Sequence, residues 1–118
     1  MSEIEHPQAK AVIAWRTPEE GGRKSGPPTA RVYAATCVFQ MGSDKEVHPD
    51  WPSGATQLSI LVQRIHTLPD GRDLAKIGFI APDLANPFLS AGAHILIMEG
   101  PKVVARAVVQ SLLGDSPR

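Results

Sequence analysis

Cysteine is almost missing from this sequence: Cys37 is the only one among 118 residues. One thiol cannot close an intramolecular disulfide or build a multi-thiolate metal site, and it fits a reducing, cytoplasmic setting. Net charge is missing as well. Twelve Lys and Arg balance twelve Asp and Glu, which argues against a strongly basic nucleic-acid binder and against an acidic disordered tail. Three Phe, two Trp and one Tyr leave few platforms on which bases could stack. No apolar run approaches the roughly 18 residues that a bilayer span needs, and no basic start followed by an apolar stretch opens the chain. The expectation is therefore no membrane partner and no secretory leader. His6, His48, His66 and His94 are dispersed, with no H-E-x-x-H pair, and His48-Pro49-Asp50 is isolated. No G-x-S-x-G elbow occurs. These gaps predict no metal, no cofactor and no catalytic constellation.

What the sequence does have is punctuation. Ten Gly and eleven Pro in so short a chain favour short strands and turns over long helices. Residues 1–9 read as a polar tail or lead-in. Residues 10–114 read as one domain and 115–118 as a tail. Within the domain, 10–16 (KAVIAWR) is apolar and ends at Pro18. Residues 31–39 (RVYAATCVF) form a second strand candidate. Its two faces, Tyr33, Ala35, Cys37 and Phe39 against Val32, Ala34, Thr36 and Val38, are both fairly apolar. Cys37, mid-strand, is expected to be buried and inert.

Leu58, Ile60 and Val62 alternate with polar neighbours, and so do Ala75, Ile77, Phe79 and Ala81. LPDGRD at 68–73 joins these two runs as a turn. Residues 93–98 and 102–110 are the last two strand candidates, separated by the tight turn Glu99-Gly100-Pro101. In the final run Val103, Ala105, Ala107 and Val109 are assigned to one face, and Lys102, Arg106 and Gln110 to the other. A helix over 102–113 is the alternative there, but frequent Val and clean alternation favour a strand. Six short strands and no firm helix predict an all-β fold, a six-stranded antiparallel closed β-barrel that leaves no free edge.

Gly-Gly-Arg-Lys-Ser at 21–25 invites comparison with a phosphate-binding P-loop. The motif fails, because Pro18 stands at the first glycine position, Arg23 stands just before Lys24, and no helix follows. A hairpin loop that uses glycine for positive φ is the better reading.

Two segments carry more information. The first is WRTPEEGGRKSGPP at 15–28, a strand followed by an acidic pair, a double glycine and a basic pair. The second is ILIMEGPKVVARAVV at 95–109, a strand, an acidic-glycine turn and a second strand. In this order they resemble the third, C-terminal β-barrel domain of elongation factor Tu, over roughly residues 8–114. EEGGR at 19–23 is the most specific part. Pro101 stands where the family has a second turn glycine, Ala105 where it often has glycine, and Lys-Ser-Gly-Pro-Pro where it usually carries aromatics. Nothing resembles the GTPase domain or the second barrel, so the resemblance implies a single barrel linked to translation, without nucleotide chemistry.

In that family the EEGGR loop and the acidic-glycine turn lie on the surface that meets the acceptor and T-stem of tRNA. The resemblance therefore points to Arg23, Lys24, Glu99 and Gly100 as contact residues, with Arg31 near a further one. Lys102 and Arg106 add basic charge if the last strand lies nearby. A protein partner is the leading expectation, because net charge is zero and the family's partner domains are missing here. Binding to tRNA is the alternative. Trp51, in a proline-rich loop, is the candidate interface anchor, while Trp15, in an apolar strand, is assigned to the core.

Overall fold

Apolar side chains at alternate positions set the strands, and closing the sheet on itself buries the face they share. The computed structural model describes residues 3–40 and 57–113. Its strands are β1 (Ala9–Trp15), β2 (Tyr33–Phe39), β3 (Leu58–Thr67), β4 (Asp73–Phe79), β5 (His94–Glu99) and β6 (Lys102–Leu112). They pair in the order β1-β4-β3-β2-β5-β6, every pair antiparallel, and close into a barrel. The expected all-β, six-stranded antiparallel closed barrel is what forms. The helix weighed over 102–113 does not, since β6 runs to Leu112 as a strand.

The interior is filled by Ile13, Ile60, Ile77, Ile95, Ile97 and smaller residues around them. Small side chains dominate one wall: Ala9 and Ala11 on β1, and Ala105 and Ala107 on β6, are all fully buried. Cys37 is fully buried among them. On β2, Cys37 and Phe39 face this core, while Val38 on the opposite face forms a second buried cluster with Leu96 and Met98, against which Val103 packs. The two apolar faces of β2 thus serve two separate packing surfaces.

The final strand departs from strict alternation. Val104, and not Val103, joins the central core beside Ala105. The cause is a bulge: Ile97 pairs with Ala105 but Met98 pairs with Val103, so Val104 is the extra residue. One inserted residue turns the strand by one position, so the residues before it swap faces while those after it keep the expected pattern.

Short helical turns form between β4 and β5. Residues 81–92 contain α1 (Pro82–Ala85) followed by a 3₁₀ turn, Asn86–Phe88. Pro82 stands first in α1 and Pro87 second in the 3₁₀ turn, positions whose N–H has no partner within its own turn, so no hydrogen bond is lost. Ala85 drops into the core and Phe88 stacks on Phe39 at 5.6 Å, so this connection plugs one mouth of the barrel. The lead-in is docked as well. Ile4 is buried, its N–H donates to Gln63 Oε1 (3.0 Å), and Gln8 bonds β4 through both its backbone and its side chain. No helix among the described residues is long and apolar enough to cross a membrane.

Burial pushes the Cys37 thiol up to about 12, far from the thiolate range at neutral pH. The native protein should therefore resist thiol-specific reagents at pH 8 and react fully once unfolded in denaturant. Rapid labelling of the native chain, read by mass spectrometry, would contradict this packing.

Candidate functional site

Antiparallel order places the strand ends in two groups. Trp15, Tyr33, Thr67, Asp73, Glu99 and Lys102 gather at one mouth of the barrel, and Ala9, Phe39, Leu58, Phe79, His94 and Leu112 at the other. The two mouths have opposite chemistry.

The first is polar and organised around two carboxylates. Asp73 is the one buried polar or charged residue among the described residues, 3% exposed. Its Oδ2 accepts from Trp15 Nε1 at 2.8 Å and from Arg64 Nη1 at 3.3 Å, and its Oδ1 accepts from the Thr67 hydroxyl at 2.8 Å. Glu99 holds the second group. Its Oε2 accepts from Arg23 Nε at 2.7 Å and from the Tyr33 hydroxyl. Arg23 also donates to the Gly26 carbonyl at 2.7 Å and lies over the Tyr33 ring. Trp15 meets Tyr33 edge to face at 5.7 Å, which joins the two groups into one continuous lid.

The EEGGR segment is built to deliver Arg23 to this place. The Thr17 hydroxyl accepts from the Glu20 N–H, and the Glu20 carboxylate accepts from the Thr17 N–H, a reciprocal cap on the Pro18–Glu20 turn. Gly21 ends the turn at φ +93°, and Gly22 then passes so close to Arg16 that a Cβ would lie 2.2 Å from the Arg16 carbonyl oxygen. Only a glycine pair fits both demands. The hairpin carrying Glu99 is equally constrained. Glu99 pairs with Lys102, leaving Gly100 and Pro101 as a two-residue loop, with Gly100 at φ +63°. Proline cannot take the second positive φ of a type I′ turn, so this is type II′, glycine first.

Most residues singled out from the sequence thus share one mouth. Arg23 and Glu99 are ion-paired with each other, and Gly100 and Lys102 belong to the same hairpin. Lys24 is exposed in the loop beyond Arg23. Arg31 is also exposed and lines a cleft of about 450 Å³ with Arg64 and His66. Trp51 and the His48-Pro49-Asp50 segment lie outside the described residues. Trp15 is half-buried against the core, with its ring nitrogen committed to Asp73.

The second mouth escaped the sequence analysis. Ile80 is 64% and Leu84 58% exposed, with Phe88 and Leu112 also open to solvent. Two adjoining clefts of about 720 and 580 Å³ share His6, Gln8 and Pro82; Ile80 lines the larger and Leu112 the smaller. The signal lies in the sequence itself: Ile80, Leu84, Phe88 and Leu89 are large apolar residues within four positions of a Pro or Gly and outside the alternating strand runs. No protein-family model matches the chain, and no curated protein does.

Burial, then the Glu99 hydrogen bond and charge, push the Tyr33 hydroxyl well above its ordinary range. The Tyr33 hydrogen bond and then Arg23 hold the Glu99 carboxyl below the usual 4.5, against the opposing effect of burial. A carboxyl lowered in the folded state adds stability at neutral pH and loses it as pH falls through the folded-state value. Glu99→Gln should therefore be less stable than the parent at pH 7, with the gap narrowing below pH 4.5, in urea titrations at stepped pH. A gap independent of pH would contradict the ion pair.

Asp73→Ala strands the Trp15 ring N–H and the Thr67 hydroxyl, and costs about 3 kcal/mol. Asp73→Asn, which keeps an acceptor, costs less. Equilibrium unfolding of the two variants checks the order.

Proposed function

We propose that this chain is a non-catalytic protein-interaction barrel, related in design to the third domain of elongation factor Tu and working alongside the translation apparatus. The open apolar mouth carries the reading. Four large apolar side chains, Ile80, Leu84, Phe88 and Leu112, stay exposed beside two clefts. Of the five exposed large apolar side chains among the described residues, these four lie at this mouth and only Ile65 lies elsewhere, and such a concentration supports an interaction site. The likeness to elongation factor Tu rests on its two motif segments, which meet through the Arg23–Glu99 pair although 76 residues separate them.

The tRNA alternative is favoured by one feature, the basic cleft lined by Arg31, Arg64 and His66 at the polar mouth. Against it, Arg23 and Glu99 satisfy each other and Arg64 is committed to Asp73. Phosphate contact through these groups would first have to break existing pairs.

A photo-crosslinking residue placed at position 84, and in a second protein at position 24, separates the readings in lysate of the source cells. The expected result is a defined protein adduct from position 84 that persists after ribonuclease. That protein, once purified, should bind the parent chain and not Ile80→Ser/Leu84→Ser. Ribonuclease-sensitive adducts from position 24 alone would overturn the proposal in favour of RNA.

A further inference from the structure

Among the described residues, the loops at the two mouths differ in charge as well as in polarity. Around the polar mouth, Arg16, Arg23, Lys24, Arg31 and Arg72 accompany Glu19, Glu20 and Asp70. Around the apolar mouth, residues 3–8 and 80–93 carry Glu3, Glu5 and Asp83 and no Lys or Arg. All three of these carboxylate residues are exposed. None of the three makes a side-chain hydrogen bond or ion pair among the described residues; at the polar mouth Asp70, Asp73 and Glu99 are ion-paired and Glu20 is hydrogen-bonded, and Glu19 alone is likewise without a partner. Glu3 and Glu5 line the larger cleft together with Ile80, and Asp83 sits next to Leu84 on α1.

Exposed apolar side chains thus lie beside three carboxylates that form no ion pair among the described residues. Complementary charge at an interface rim speeds encounter and selects against partners of like charge. Resting on the protein-binding reading above, we propose that the apolar mouth takes a cationic segment of a partner protein, one with apolar anchors flanked by Lys or Arg. The anchors cover Ile80 and Leu84, and the basic side chains meet Glu3, Glu5 and Asp83. An anionic or merely greasy segment would fill the same clefts but leave the three carboxylates unpaired or repelled.

The test uses a random displayed-peptide library selected on the full chain, with counter-selection on Ile80→Ser/Leu84→Ser. Circular dichroism first checks that each variant is folded. Since both substituted side chains are exposed, folding should survive, and Leu84→Lys serves as an independent variant that places a repelling charge in the site. The expected peptides combine apolar anchors with Lys or Arg. They bind the parent chain, lose at least about tenfold in affinity on Glu3→Gln/Glu5→Gln/Asp83→Asn, and weaken as salt rises. Parent-selective peptides that are neutral or acidic would overturn the charge assignment while leaving the apolar mouth as a protein-binding site. Cationic peptides that bind the parent and Ile80→Ser/Leu84→Ser equally would also overturn it, as charge attraction without the site. Failure to enrich any peptide that tells the parent from both apolar-mouth variants would overturn this inference and the protein-binding reading together.

Discussion

A buried carboxylate governs the architecture of the polar mouth. Asp73 begins β4, yet its oxygens receive Trp15 from β1 and both Arg64 and Thr67 from β3. An unpaired buried charge is costly, so closing this end of the barrel over Asp73 depends on these donors meeting it. Trp15 then supports Tyr33, Tyr33 donates to Glu99, and Glu99 holds Arg23 and the loop behind it. The chain of contacts runs from β4 through β1 and β2 to β5, and it ties this mouth together beside the cleft that Arg31, Arg64 and His66 line.

The opposite mouth is closed differently. Ala85 and the Phe39–Phe79–Phe88 group plug it by packing, with no buried charge to set its geometry. Apolar contact is less directional than a hydrogen-bonded carboxylate, and it stops at the depth of Ala85, leaving Ile80 and Leu84 outside. The two ends thus differ: one pairs Asp73, Glu99, Arg23 and Arg64 internally, and the other keeps large apolar side chains and three unpaired acids facing solvent.

Much of this was legible from alternation and punctuation. Leu58, Ile60 and Val62, and Ala75, Ile77 and Phe79, all face the core as their period of two implies. Asp70-Gly71 forms the β3–β4 turn, with the Gly71 N–H donating to the Leu68 carbonyl at 2.9 Å. The failures sit where one residue was inserted or where a long-range partner decided. Nothing in KVVARAVV announces that Val104 is the bulged residue, because bulge position depends on how β5 and β6 align on a curved sheet. Arg23 and Glu99 were recognisable as belonging together, but as two contacts on one surface and not as partners of each other.

Strand number, the face each strand buries, the buried Cys37 and the glycine-dependent loops are local properties. They follow from side-chain period and from φ values that only glycine or proline suits, and these are written in adjacent residues. Which charges neutralise one another is not local. Trp15 and Asp73 lie 58 residues apart, and Tyr33 and Glu99 lie 66 apart. Hydrogen bonding reaches only about 3 Å, so closure of the barrel alone decided that Asp73 and Glu99 would be paired while Glu3, Glu5 and Asp83 would not.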